Sequence, residues 1–168
     1  MADKLTLSVL VDNQSGVLQR VASLFSRRGY NIKSLTVSET EDPSFSRMTI
    51  VTETERDMVR QIEMQLFKLE IVKKVAVLDF SNSVSSELLL AKVSAKGIEK
   101  KNKLIEVNRR FGARIMDVTL ESITCELTGR PDQIDEFINV ISDFGIIELA
   151  RTGVTSLERG ADSFSEDI

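Results

Sequence analysis

The residues best suited to chemistry lie near the start of the chain, in Asp12-Asn13-Gln14-Ser15-Gly16, ahead of an apolar stripe at Val17, Leu18, Val21, Leu24 and Phe25. Gly16 lets a ligand or a second backbone approach closely. The N–H groups of a first helical turn lack intrahelical acceptors and favour an anion such as an α-carboxylate. Asn13 supplies both a donor and an acceptor, enough to hold an amino-acid headgroup. Asn31 follows Gly29-Tyr30 at the start of a second strand and is a second polar handle. Two Asn residues flanking apolar strands suit a small zwitterion with an aliphatic tail. Asn is also at home in ordinary turns, and from spacing alone the turn reading carries more weight.

Other chemistry has few parts to work with. The 168 residues include no His, no Trp and one Cys. This excludes Ser-His-Asp and Cys-His catalysis, imidazole metal sites, and a disulfide or all-cysteine zinc site within one chain. Asp117, between Met116 and Val118, reads as an outward residue of an alternating strand rather than a functional acid. Cys125 has no helix N-terminus or paired base and reads as a packed thiol. The segment from Lys96 to Arg114 carries seven cations against Glu99 and Glu106. A solvated helix face is the first reading of it, an acidic-partner surface the second. A net charge of −4, from 22 Lys+Arg and 26 Asp+Glu, argues against a dedicated nucleic-acid binder. An RNA-binding sheet needs stacking aromatics on its central strands, and Ser46 to Thr52 has none except Phe45 at its edge.

These residues need elements to position them. Lys4 to Val11 alternates apolar and polar residues as a strand with one buried face. The helix from Val17 ends at Arg27-Arg28 and Gly29, cations and a glycine suited to a helix C-terminus. Tyr30 to Thr40 and Ser46 to Glu53 read as strands joined by the Glu41-Asp42-Pro43-Ser44 turn. Met58, Ile62, Leu66 and Leu69 give a second helical stripe, and Ile71 to Phe80 a fourth strand. The order is βαββαβ. It repeats after a Ser-rich linker: strand Glu87 to Ala95, helix Ile98 to Phe111, hairpin strands Ala113 to Leu120 and Ile123 to Thr128, a helix opened by Pro131, and strand Ile146 to Thr152. The expected organisation is residues 1–80, a linker at 81–86, residues 87–158, and an acidic tail at 159–168 that frays. The expected fold class is α+β, two tandem ferredoxin-like sandwiches with helices over one face of an antiparallel sheet. Small units of this kind gain from a homodimer. No apolar run approaches the roughly 20 residues needed to span a bilayer, and no signal or transit segment is evident. The expected location is cytoplasmic, with no membrane partner.

Two stretches carry a family resemblance. Ser8-Val9-Leu10-Val11-Asp12-Asn13-Gln14-Ser15-Gly16-Val17-Leu18 resembles the opening of an ACT domain, a ligand-sensing module of amino-acid metabolism. Leu24-Phe25-Ser26-Arg27-Arg28-Gly29-Tyr30-Asn31-Ile32-Lys33-Ser34-Leu35-Thr36-Val37, with Ser46 to Ile50, resembles the small regulatory subunits of acetolactate synthase. Phe111 to Val118, Ala150 to Val154 and Leu157 to Gly160 agree. Lys33 departs from the family, which usually carries an acid there.

The resemblance implies that the chain is not itself an enzyme. It implies a partner, the catalytic large subunit, which holds thiamine diphosphate, magnesium and FAD while this chain holds no cofactor. It implies activation of that subunit and valine feedback inhibition in branched-chain amino-acid biosynthesis, with a homodimer through the ACT domains. On this sequence the valine-binding residues are Asn13, Gly16, Val17 and Leu18 of one chain with Asn31 and Ile32 of the second. Val17, Leu18 and Ile32 supply the apolar wall. No catalytic or metal residue is expected. The alternative is a stand-alone ACT-type sensor of another enzyme or of transcription.

Overall fold

Alternation in the first strand decides the first layer. The computed structural model describes residues 3–79, 81–161 and 164. In β1 (Asp3–Asp12), Leu5, Leu7, Val9 and Val11 point to one face. They pack on Val17, Val21, Leu24 and Phe25 of α1 (Val17–Arg27) and on Ile62 and Leu66 of α2 (Arg56–Leu66). β2 (Ile32–Glu39), β3 (Phe45–Thr54) and β4 (Val72–Leu78) complete an antiparallel sheet in the order β2-β3-β1-β4. Leu7 faces Ile50 and Val9 faces Met48 across the ladder, so the apolar residues of both strands share the helix-covered side. The fourth strand ends at Leu78, and Phe80 lies outside the described residues.

The other face of this sheet is also covered. Ser8, Leu10, Thr49 and Val51 are buried there. Ser34 and Thr36 of β2, which pair with Val51 and Thr49, hold Val154. The Val154 N–H donates to Ser34 Oγ at 3.2 Å, and Thr36 Oγ1 donates to the Val154 carbonyl at 2.8 Å. β9 (Thr155–Glu158) then lies against β4, and the Arg159 N–H donates to the Asn82 carbonyl at 2.7 Å. Phe164 is buried, with the Arg47 guanidinium 5.0 Å and the Lys74 ammonium 5.2 Å from its ring centre. Each such cation–ring contact contributes about 0.5–2 kcal/mol. The first compact unit therefore comprises residues 1–84 and 154–168, and the second residues 85–153.

The second unit repeats the order with β5 (Ser83–Ser94), α3 (Ile98–Phe111), β6 (Arg114–Val118), β7 (Ser122–Gly129), α4 (Pro131–Ser142) and β8 (Ile146–Arg151). Its sheet runs β6-β7-β5-β8, again antiparallel. Leu89, Ala91 and Val93 face Leu104, Ile134, Phe137 and Ile141 of the helices. Pro131 occupies the first turn of α4, where a missing N–H costs nothing. Both units are ferredoxin-like βαββαβ folds, an α+β class.

Three expectations about boundaries give way. The 81–86 stretch is not a linker, because β5 already begins at Ser83. The chain turns earlier, at Asp79, whose carboxylate accepts the N–H groups of Ser81 at 2.8 Å and Asn82 at 3.0 Å. The Ser81 hydroxyl, with these backbone donors, holds that carboxyl below its ordinary range. By compactness the stretch 154–158 groups with the first unit, where Val154 bonds to β2, while β9 itself pairs with β5. The tail does not fray at Phe164, which gains burial against two cations. Asp162, Ser163 and residues 165–168 lie outside the described residues.

Candidate functional site

The turn from β1 into α1 is built by backbone. The Asp12 N–H donates to the Ile71 carbonyl at 2.9 Å, and the Asn13 N–H to the Ser44 carbonyl at 2.7 Å. These tie the turn to two neighbouring loops. Gly16 sits at φ +82° and ψ −1°, left-handed backbone that glycine adopts without strain. It is the helix N-cap, and no side chain caps the helix there. No acidic residue lies in the first turn of α1. Space above Gly16 is open: a Cβ built there meets nothing within 4 Å. The Val17 N–H makes only a long bond of 3.4 Å to the Gln14 carbonyl. The N–H groups of Leu18 and Gln19 have no acceptor among the described residues. The helix thus presents donors, its positive dipole end and room for a carboxylate.

Asn13 stands beside these donors with its own network. Its Nδ2 donates to Glu39 Oε1 and to the Pro43 carbonyl, both at 2.9 Å. Its Oδ1 accepts from Ser46 Oγ at 3.1 Å. The amide is therefore fixed in one orientation, not a loose turn residue. Glu39 puts a carboxylate where a ligand ammonium can be received. A zwitterion meets donors on one side and an acid on the other. Glu39 was not foreseen from the sequence. Its only signal is its place at the end of β2, opposite Ser46 in the register.

The structure brings together Asn13, Gly16 and Leu18, whose side chain is 46% exposed. Val17 is different from expectation. Its side chain is buried in the first core, so it offers a ligand its backbone and no apolar wall. Asn31 and Ile32 stand elsewhere in the same chain. α1 spans eleven residues, about 16 Å of helix, between Gly16 and the start of β2. Ile32 faces Thr52 while Glu39 faces Ser46, so Asn31 and Asn13 lie toward opposite ends of β2. The Asn31 carbonyl accepts from Thr52 Oγ1 at 2.7 Å, leaving its side chain exposed. Lys33 is paired with Glu53 at 2.9 Å on the sheet surface.

Other candidate groups are structural. Burial pushes the Cys125 thiol up to about 11, and its Sγ donates to the Ala91 carbonyl at 3.4 Å. A thiol at that value is protonated and inert near neutral pH. Much of the basic stretch is tied locally: Lys101 Nζ donates to the Thr119 carbonyl, Lys103 pairs with Glu99, and Lys96 with Glu121. Among the described residues no group of three or more His, Cys, Asp or Glu could hold a metal ion. No helix among them is long and apolar enough to cross a membrane.

Comparison with known proteins covers most of the chain. Residues 7–74 match the model of the AHAS small subunit-like ACT domain, and residues 86–160 that of the small subunit of acetolactate synthase. The acetolactate synthase small subunit of Mycolicibacterium smegmatis is 47% identical over 155 residues, covering 92% of this chain and 91% of that protein. The isozyme 3 small subunit of Salmonella typhimurium is 45% identical over 158 residues, 92% of this chain and 94% of that one. The crystal structure of the Thermotoga maritima small subunit superposes with a TM-score of 0.86 at 36% identity, covering 95% of this chain and 99% of that chain. With matches that run through both units, the chain belongs to the family of acetolactate synthase small subunits.

Proposed function

We propose that this chain regulates a catalytic acetolactate synthase subunit, raising its activity and making it sensitive to valine. Thiamine diphosphate, magnesium and FAD remain with the catalytic subunit, and this chain binds only the effector. One observation supports the reading above the others: the uncapped, acid-free first turn of α1 stands beside an Asn13 amide held by Glu39. Backbone donors receive the α-carboxylate, and Asn13 with Glu39 receives the ammonium.

The second half of the site comes from a second copy. β2 is an edge strand, open to pairing. Antiparallel pairing of two β2 strands about a twofold axis sets residue 32 of one opposite residue 39 of the other. Asn31 and Ile32 of the second copy then reach the Asn13 end of the first. Leu18 and that Ile32 form the apolar wall. Burying an aliphatic side chain of this size contributes roughly 1.5–3 kcal/mol. That selects valine over alanine and leaves pocket shape to reject leucine and isoleucine. Because valine touches both copies, it favours the dimer arrangement that fits it. A coupling of about 1–3 kcal/mol changes activity several-fold or more.

Calorimetric titration of valine into the purified chain tests this, with leucine, isoleucine and serine as comparisons. The expected result is saturable valine binding in a dimeric sample, weakened at least about tenfold in Asn13→Ala by loss of a charge-assisted hydrogen bond. The variant still activates the catalytic subunit. Unchanged valine affinity in Asn13→Ala moves the site elsewhere, and lost activation makes the residue structural.

A further inference from the structure

Helix α1 has a second surface that the effector site does not use. Its eleven residues include no Asp or Glu, although the chain as a whole carries more acids than bases. Gln19, Arg20, Ser23, Ser26 and Arg27 of α1, with Leu69 after α2, line an open groove of about 460 Å³. Several cations elsewhere sit on carboxylates: Lys73 on Asp12, Lys92 on Glu148, Arg114 on Glu126, Arg130 on Asp132. In this groove they do not. Arg20 has no hydrogen-bond or ion-pair partner among the described residues. Arg27 donates Nε only to the Ser23 carbonyl of its own helix, at 3.3 Å.

The spacing limits what fits. Arg20 and Arg27 are seven residues apart, two turns or about 10 Å along the helix. One carboxylate or phosphate cannot bridge both. Two carboxylates two turns apart on a second helix can, with an apolar residue between them resting on Leu69. Ser23 and Ser26 add hydroxyls, and their small size lets a second helix approach. Arg guanidinium forks suit bidentate pairing with carboxylates.

We infer that this face of α1 docks an acidic, amphipathic helical segment of the catalytic subunit. The inference rests on the proposed regulatory role and deepens it, because it names the surface and the chemistry of the partner. It also makes α1 the shared element, with the effector at its N-terminus and the partner along its flank. Any tilt of α1 that fits valine shifts both guanidinium groups against the partner's acids.

The test measures binding of the full chain to its purified catalytic subunit across a salt series. It compares wild type with Arg20→Glu/Arg27→Glu, and with Arg109→Glu/Arg110→Glu on α3 as a control for general charge. The groove reversal is expected to weaken binding by on the order of tenfold or more at low salt and to flatten its salt dependence. The α3 reversal leaves affinity within about twofold. Valine binding to the isolated groove variant stays within about twofold of wild type, showing that it is folded. Wild-type affinity and salt dependence in the groove variant overturn the inference. So does an equal loss in both variants, which makes the effect one of net charge. A wild-type chain that fails to bind the catalytic subunit overturns the regulatory reading and the docking surface together.

Discussion

The two units share a topology and differ where β1 or β5 turns into the first helix. In the first unit the turn holds Asn13, leaves Gly16 as an uncapped N-cap, and places no acid in the first turn of α1. In the second, Lys96-Gly97 leads into α3, whose first turn contains Glu99. That helix meets its positive end with its own carboxylate, and Glu99 is in turn paired with Lys103 at 3.3 Å. Gly97 also differs from Gly16. Both have φ +82°, but Gly97 is extended at ψ 154°, a conformation nearly confined to glycine. Neither N-cap is bonded by a side chain; the turns differ in the acid that only α3 carries and in the backbone of their glycines. The same fold therefore supplies one first turn without an acid and one with its own, and a few residues separate them.

Substitutions in the two turns test that contrast. Gly16→Asp is expected to have the largest effect. Asp tolerates left-handed backbone, so the fold persists while a carboxylate occupies the open space. Valine affinity in calorimetry should fall by on the order of a hundredfold, as an anion is set against the ligand's own. Retained affinity breaks the contrast at its strongest point. Gly97→Ala comes next and acts on stability. Forcing alanine into that backbone is expected to cost about 1–3 kcal/mol, read as a lower midpoint in urea, with valine affinity unchanged. The smallest effect belongs to Glu99→Gln. Losing the acid at the helix N-terminus is expected to cost about 0.3–1 kcal/mol, and the emptied turn still binds no valine. Valine binding at the second unit of that variant would show that an open first turn is sufficient without the Asn13 and Glu39 partners.

Much of this was legible before any coordinates. Period-two and period-3.6 patterns mark β1, α1, α3 and α4, because each buries one face against one neighbour. Asn13 and Gly16 stand out because Asn and Gly are placed by local backbone chemistry. Glu39 was not legible, since its meeting with Asn13 depends on the β2–β3 register and not on sequence distance. Val17 is ambiguous for a related reason. Helical spacing shows that it is apolar but not whether its side chain points to the core or to a ligand. β9 is four residues long, too short for a periodic signal. Phe164 is a single aromatic in an acidic stretch, and its burial against Arg47 and Lys74 depends on strands 90 and more residues earlier. The Ser-rich run at 81–86 looked like a linker because serine is common in loops, yet Ser83 is buried in a strand.

The return of residues 154–164 to the first sheet has a consequence for how the protein is made. The first unit is interrupted by the whole of the second, so its last structural piece is synthesised only after that unit. Between Val84 and Val154 lie some 70 residues of translation, on the order of 10 s at usual elongation rates. During that time Ser34 and Thr36 lack Val154, and Arg47 and Lys74 lack Phe164. A prematurely terminated chain, or a gene fusion that cuts after the fourth strand, leaves that face bare and open to association.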